Sequence, residues 1–91
     1  MVDKPYTDKQ LADKRWIRRL FVDQITEDQL VWHRDANDRR IIVLAGEGWK
    51  IQLENELPVD LLTSNLYIIK KNTFHRIIKG KTNLILYIRE D

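Results

Sequence analysis

The sequence predicts an all-β single domain, a small barrel or two-sheet jelly roll, and three observations carry that prediction. From Trp16 onward, short runs rich in Ile, Val, Leu, Tyr and Trp follow one another closely. Polar or glycine-containing breaks separate them, as turns separate strands. There are about eight such runs, too many for one open sheet in a chain this small and suited to a closed or two-sheet arrangement.

Taken in order, the first segment differs from the rest. Thr7 or Asp8 can cap a short helix over residues 7–14, where Leu11 and Ala12 offer one apolar contact. Residues 1–14 are therefore expected as a helical or irregular N-terminal segment ahead of a barrel domain over residues 15–91. Strands are expected at residues 16–22 and 30–34. Residues 40–45 form a nearly continuous apolar run, the pattern of a strand buried on both faces, and Gly46-Glu47-Gly48 turns it into the next.

In residues 49–54 apolar and polar side chains alternate without error, so one face packs inward and the other meets water. Glu54-Asn55-Glu56 makes a hairpin turn into residues 57–61, where Pro58 lacks an amide donor and places that strand at an edge. Three further strands follow at residues 66–69, 74–78 and 84–89. Lys71-Asn72 and Gly80-Lys81-Thr82-Asn83 supply the turns between them.

Composition narrows the function classes. Hydrophobic residues make up 43% and charged residues 33%, a globular balance. Without cysteine there is no disulfide framework, thiolate nucleophile or cysteine metal cluster. That absence, with no apolar stretch of signal-peptide or membrane-span length, leads to the expectation of a cytoplasmic protein without membrane attachment. Basic and acidic residues are interspersed along the chain, and the net charge is only +2. Nucleic-acid binding is not expected, because it needs Arg15, Arg18, Arg19 and Lys70 gathered on one face.

Chemistry concentrates on the two histidines, His33 and His75. Asp35 follows His33 by two positions, so in an extended strand both side chains point the same way. Two imidazoles and one carboxylate are the ligands of the facial triad that holds Fe(II) with coordination positions left open. Structural roles compete with this reading. Each histidine can be a hydrogen-bonded member of the wall, and Asp35 a surface partner of Arg34 or Arg39. Trp32 and Trp49 read as packing residues. Tyr67 and Tyr87 can lie inside or outside the barrel, since register decides.

The spacing of these residues resembles that of the cupin family. The first cupin motif reads G, five residues, H-x-H, three or four residues, E, six residues, G. On it His33 takes the first histidine, Asp35 the second, Arg39 the glutamate and Gly46 the closing glycine. In the second motif, G, five residues, P-x-G, two residues, H, three residues, N, the positions fall on Ser64, Lys70, Asn72 and His75. Only His33, Gly46 and His75 keep the motif letters, and Glu27, Asp35, Arg39, Ser64, Lys70, Asn72 and Lys79 depart from them.

The resemblance implies a single cupin-type double-stranded β-helix over residues 30–90, commonly dimeric, with a polar pocket in the barrel. In cupins that bind a divalent metal, three histidines and a glutamate usually hold it. Arg39 cannot replace that glutamate, because a guanidinium stays protonated and has no free lone pair. Either Arg39 salt-bridges Asp35 and holds a metal-free cavity together, or it binds an acidic substrate beside a metal on His33, Asp35 and His75. The expected function is binding of a small anionic or oxygenated molecule by His33, Arg39 and His75. The alternative is a dioxygenase- or isomerase-type enzyme with Fe, Mn, Ni or Zn on His33, Asp35 and His75. A homodimer is expected, paired through the edge at Pro58 or the apolar strand over residues 16–22.

Overall fold

The computed structural model describes residues 4–91. Eight strands run in chain order: β1 (Thr7–Gln10), β2 (Trp16–Phe21), β3 (Arg39–Ala45), β4 (Lys50–Leu53), β5 (Val59–Asp60), β6 (Leu66–Ile69), β7 (His75–Ile78) and β8 (Leu84–Glu90). Between β2 and β3 lies one 3-10 turn, Glu27–Gln29. The strands form two antiparallel sheets, β1-β2-β8-β3-β6 and β5-β4-β7. This is the expected two-sheet, all-β architecture.

Inward positions of both sheets meet in one core. In β3 and β8 every second residue is buried, which puts Ile41, Val43, Leu84, Leu86 and Ile88 on one face. Trp49 is the largest fully buried side chain, 1% exposed, and its indole N–H donates to the Thr82 carbonyl at 2.7 Å. A buried indole needs that partner, because an unpaired donor in the core costs about 1–3 kcal/mol.

Several local expectations are corrected. The segment at residues 7–14 contains no helix; Thr7–Gln10 is a strand, paired with β2 so that Asp8 lies opposite Arg19. One apolar contact is too little to offset the cost of nucleating a short helix, whereas the hairpin supplies backbone bonds and a carboxylate for Arg19. Residues 30–34 are not a strand either, since only His33 forms a bridge, to His75. β3 is buried on one face only, with Ile42 and Leu44 half-buried on the other, because no second layer covers that side.

Trp32 is 42% exposed and lies under the Arg76 guanidinium at 5.0 Å, so it is a surface residue rather than core. β2 is flanked by β1 and β8 and has no free edge for a second copy to pair with. β5 is an edge strand, as Pro58 implied. Among the described residues no helix is long and apolar enough to cross a membrane.

Glycine is demanded most strongly at Gly80, where a Cβ would run into the Glu47 carbonyl and into the ring and backbone of Trp49. Backbone cannot move aside as a flexible side chain can, so Gly80→Ala is expected to destabilise the fold by about 2–3 kcal/mol. In a domain of this size that lowers Tm by roughly 10–20 °C, and a thermal melt of the variant checks it.

Candidate functional site

His33 and His75 form a hydrogen-bonded antiparallel backbone pair: the His33 amide donates to the His75 carbonyl at 3.0 Å and the His75 amide to the His33 carbonyl at 2.8 Å. Directly opposed residues in such a pair project their side chains to the same face. The two imidazoles therefore lie side by side, with ring centroids 4.3 Å apart. Asp35 arrives two residues after His33, and the 70–72 turn holds the segment that carries it. The Asn72 amide donates to the Asp35 carbonyl at 2.8 Å, and the Lys71 amide donates to the Asp38 carboxylate at 2.8 Å. That bond, together with the Lys70 and Lys71 charges, holds the Asp38 carboxyl below its ordinary value despite some opposing desolvation.

Each imidazole is fixed by its own loop. His33 Nδ1 lies 3.1 Å from the Val31 carbonyl and His75 Nδ1 2.8 Å from the Thr73 carbonyl. A carbonyl only accepts, so each Nδ1 carries a proton, and a ring in its neutral form then presents Nε2 as a lone pair. Ligand atoms of His33, Asp35 and His75 all lie within 4.8 Å of one another. His75 is 3% exposed, and Asp35 Oδ2 is a buried oxygen with no hydrogen-bond partner. Only 3.3 Å separates Asp35 Oδ2 from His75 Nε2.

Two acceptors facing each other without a shared proton repel, and burial strengthens the repulsion. Protonating His75 would relieve it, but burial pushes that imidazole below its ordinary value, aided by His33 and Arg39 and opposed by the Thr73 carbonyl and Asp35. A cation between Nε2 and Oδ2 satisfies both atoms. The donor set therefore fits a divalent metal.

Arg39 faces the same group from β3. Its Nε and Nη2 donate to Glu90 Oε1 at 3.0 and 2.7 Å, and Nη2 also contacts Asp35 Oδ1 at 3.2 Å. Of its two expected roles, pairing with Asp35 is present in the structure. Glu90 was not singled out in the sequence, although it sits directly across from Arg39 in the β3–β8 register. Its negative charge offsets the guanidinium, leaving the Asp35 charge for a cation.

These groups form one wall of a cavity of about 630 Å³ whose remaining wall is mostly branched aliphatic. Arg19 also faces it, held bidentately by Asp8 at 2.8 and 3.0 Å and stacked on Tyr6 at 3.6 Å. This second arginine cluster was not foreseen, because the helical reading of residues 7–14 hid the Asp8–Arg19 pairing. Tyr67 and Tyr87 do not line the cavity. The Tyr67 hydroxyl instead donates to the Asp60 carbonyl and accepts from the Leu62 amide, joining the two sheets.

No protein-family model matches the chain, and no curated protein matches it at a significant level. Solved structures do. A cupin-2 domain containing protein from Shewanella frigidimarina matches with a TM-score of 0.68 at 22% identity, over 99% of this chain and 85% of that one. An RmlC-like cupin family protein with a double-stranded β-helix fold from Methanocaldococcus jannaschii gives 0.68 at 13%, over 97% and 82%. The Fe(II) form of HppE in complex with substrate gives 0.66 at 16%, with all of this chain covering 55% of that protein. The chain thus has the cupin fold.

The depressed His75 value has a sign that can be tested. Between that value and about 6.5 the unfolded chain binds a proton that the folded chain does not, so stability rises with pH through the window. Metal-free protein is expected to lose thermal stability as pH falls below about 6.5, with no further loss from this group once pH passes below the depressed value. His75→Gln is expected to flatten that part of the profile in melts of EDTA-treated protein.

Proposed function

We propose that this protein holds a divalent metal on His33, Asp35 and His75 and binds a small oxygen-bearing molecule in the cavity beside it. The observation that carries this reading is the buried Asp35 Oδ2, unpartnered and 3.3 Å from a histidine nitrogen whose other ring nitrogen is already tied to a carbonyl. The carbonyl partners of both Nδ1 atoms act as outer-shell ligands do, fixing tautomer and ring orientation. Arg39 takes Asp35 Oδ1 and leaves Oδ2 as the single oxygen offered.

Bound there, a three-ligand metal keeps coordination positions open for substrate oxygen and acts as a Lewis acid or redox centre. This chain's residues orient the ligands and balance the charge around the reacting end of the substrate. HppE, of which this chain matches 55%, is described with both Fe(II) and a substrate. That precedent supports an enzyme reading here without naming the reaction.

Anaerobic titration with Fe(II), Mn(II), Ni(II) and Zn(II), followed by elemental analysis, tests the proposal. One equivalent of at least one metal should be retained by the wild type and lost in His33→Ala, Asp35→Asn and His75→Ala. Glu90→Gln, which uncovers the Arg39 charge, is expected to weaken affinity about tenfold, the lower end for losing an outer-shell partner. Retention of none of the four metals by folded wild-type protein would overturn the reading.

A further inference from the structure

We infer that the cavity selects a small molecule with an apolar body and a single oxygen-bearing end, in preference to a sugar, a polyol or a compact polyanion. The inference names a substrate class for the proposed metal site and rests on that reading only for where the oxygen-bearing end is held. The apolar part is carried by the wall itself.

Leu30, Val31 and Ile77 give the cavity accessible apolar surface, over a floor of buried core side chains that includes Ile41, Ile51 and Ile69. No serine, threonine or asparagine does so among the described residues. The exposed Lys4, Asp28, Gln29 and His33 mark its mouth, so deeper in the polar residues are Tyr6, Asp35, His75 and the two arginines. Both arginines are already engaged, Arg19 by both carboxylate oxygens of Asp8 and Arg39 by Glu90 and Asp35. Those carboxylates offset the guanidinium charges, so a phosphate or dicarboxylate entering the cavity meets little uncompensated positive charge.

A sugar ring fares worse. Each of its hydroxyls would lose water without finding a partner on an isoleucine wall, and each unpaired group weakens binding roughly five- to hundredfold. An apolar body gains by leaving water, with one ring buried against aliphatic side chains improving affinity by roughly tenfold or more. A volume of about 630 Å³ falls within the usual range for small-ligand pockets. The polar wall accepts only one end of such a molecule, because its lone pairs converge at one place.

Three probes separate these classes by isothermal titration calorimetry on the full chain: benzoylacetone, whose two oxygens carry a phenyl body; malonate, with a similar bite and no apolar body; and D-xylose. On Zn(II)-loaded protein benzoylacetone should bind at least about tenfold more tightly than malonate, with a negative heat-capacity change, and xylose should not bind. On EDTA-treated protein benzoylacetone should still bind, more weakly. Ile77→Asn, at a half-buried wall position, should weaken it about tenfold in both forms while leaving metal stoichiometry unchanged. Preference for malonate or xylose, equal binding of all three, or binding of none by metal-loaded protein overturns the inference and leaves the metal reading intact. Protein that takes no metal yet binds benzoylacetone in this way overturns the metal reading and leaves the apolar selectivity standing.

Discussion

Two backbone hydrogen bonds between His33 and His75 organise the polar end of this barrel. The chain between β2 and β3 is long and irregular, and its attachment to the smaller sheet occurs where His33 meets the first residue of β7. Because directly opposed residues share a face, that clip fixes two imidazoles as neighbours without help from side-chain packing. It also fixes the path of the next residues, so Asp35 reaches the same wall while the Asn72 amide anchors its carbonyl. Loss of the pairing would free His33, while β4 still holds His75 and the Asn72 amide still holds Asp35.

Charge balance around Arg39 decides whether that cluster attracts a cation or repels one. Viewed alone, a guanidinium where a metal-binding cupin would place a glutamate opposes metal. In the structure Glu90, across the β3–β8 ladder, accepts two bonds from it. The same guanidinium then holds one oxygen of Asp35 and leaves the other facing His75. Arg39 therefore braces the Asp35 carboxylate. A metal held there as proposed would take three protein ligands, in keeping with the departures at Asp35 and Arg39 from the four-ligand pattern.

Much of the fold was legible because strand periodicity is a local property. β4 lies close to where alternation placed it and β6 and β8 close to where runs between turn residues placed them, and the motif spacing brought His33, Asp35 and His75 to one point. Ser64 and Asn72 show why spacing survived poor identity. Both stand where the second cupin motif has glycine, and both adopt positive φ, 70° and 62°. Asparagine tolerates that conformation better than most residues, and serine bears a strained position in its place. What was not legible depends on pairing across distance. The partnership of Glu90 with Arg39 needs the β3–β8 register, and that of Asp8 with Arg19 needs β1 to be a strand. In Leu30–Arg34 a β-like composition misled, because only one of its residues has a strand neighbour.

A domain of 91 residues has little core to spare, yet it keeps a cavity of about 630 Å³. The distribution of packing shows how. Val43, Trp49 and Leu84 are almost completely buried and none of them lines the cavity, so one part of the barrel is sealed by an indole bonded to the Thr82 carbonyl. The other part is left open, walled by aliphatic side chains that a ligand can cover in place of further protein. Stability and binding overlap in the wall, since Ile41, Ile51, Ile69, Leu86 and Ile88 belong to the buried core and also line the cavity. The half-buried Ile77 can change without dismantling the packed end, whereas the Gly80 contact at that end has no such freedom. Selectivity for an apolar body then follows from economy of size: in so short a chain, the surface available to hold a ligand is the same kind of surface that would otherwise have been core.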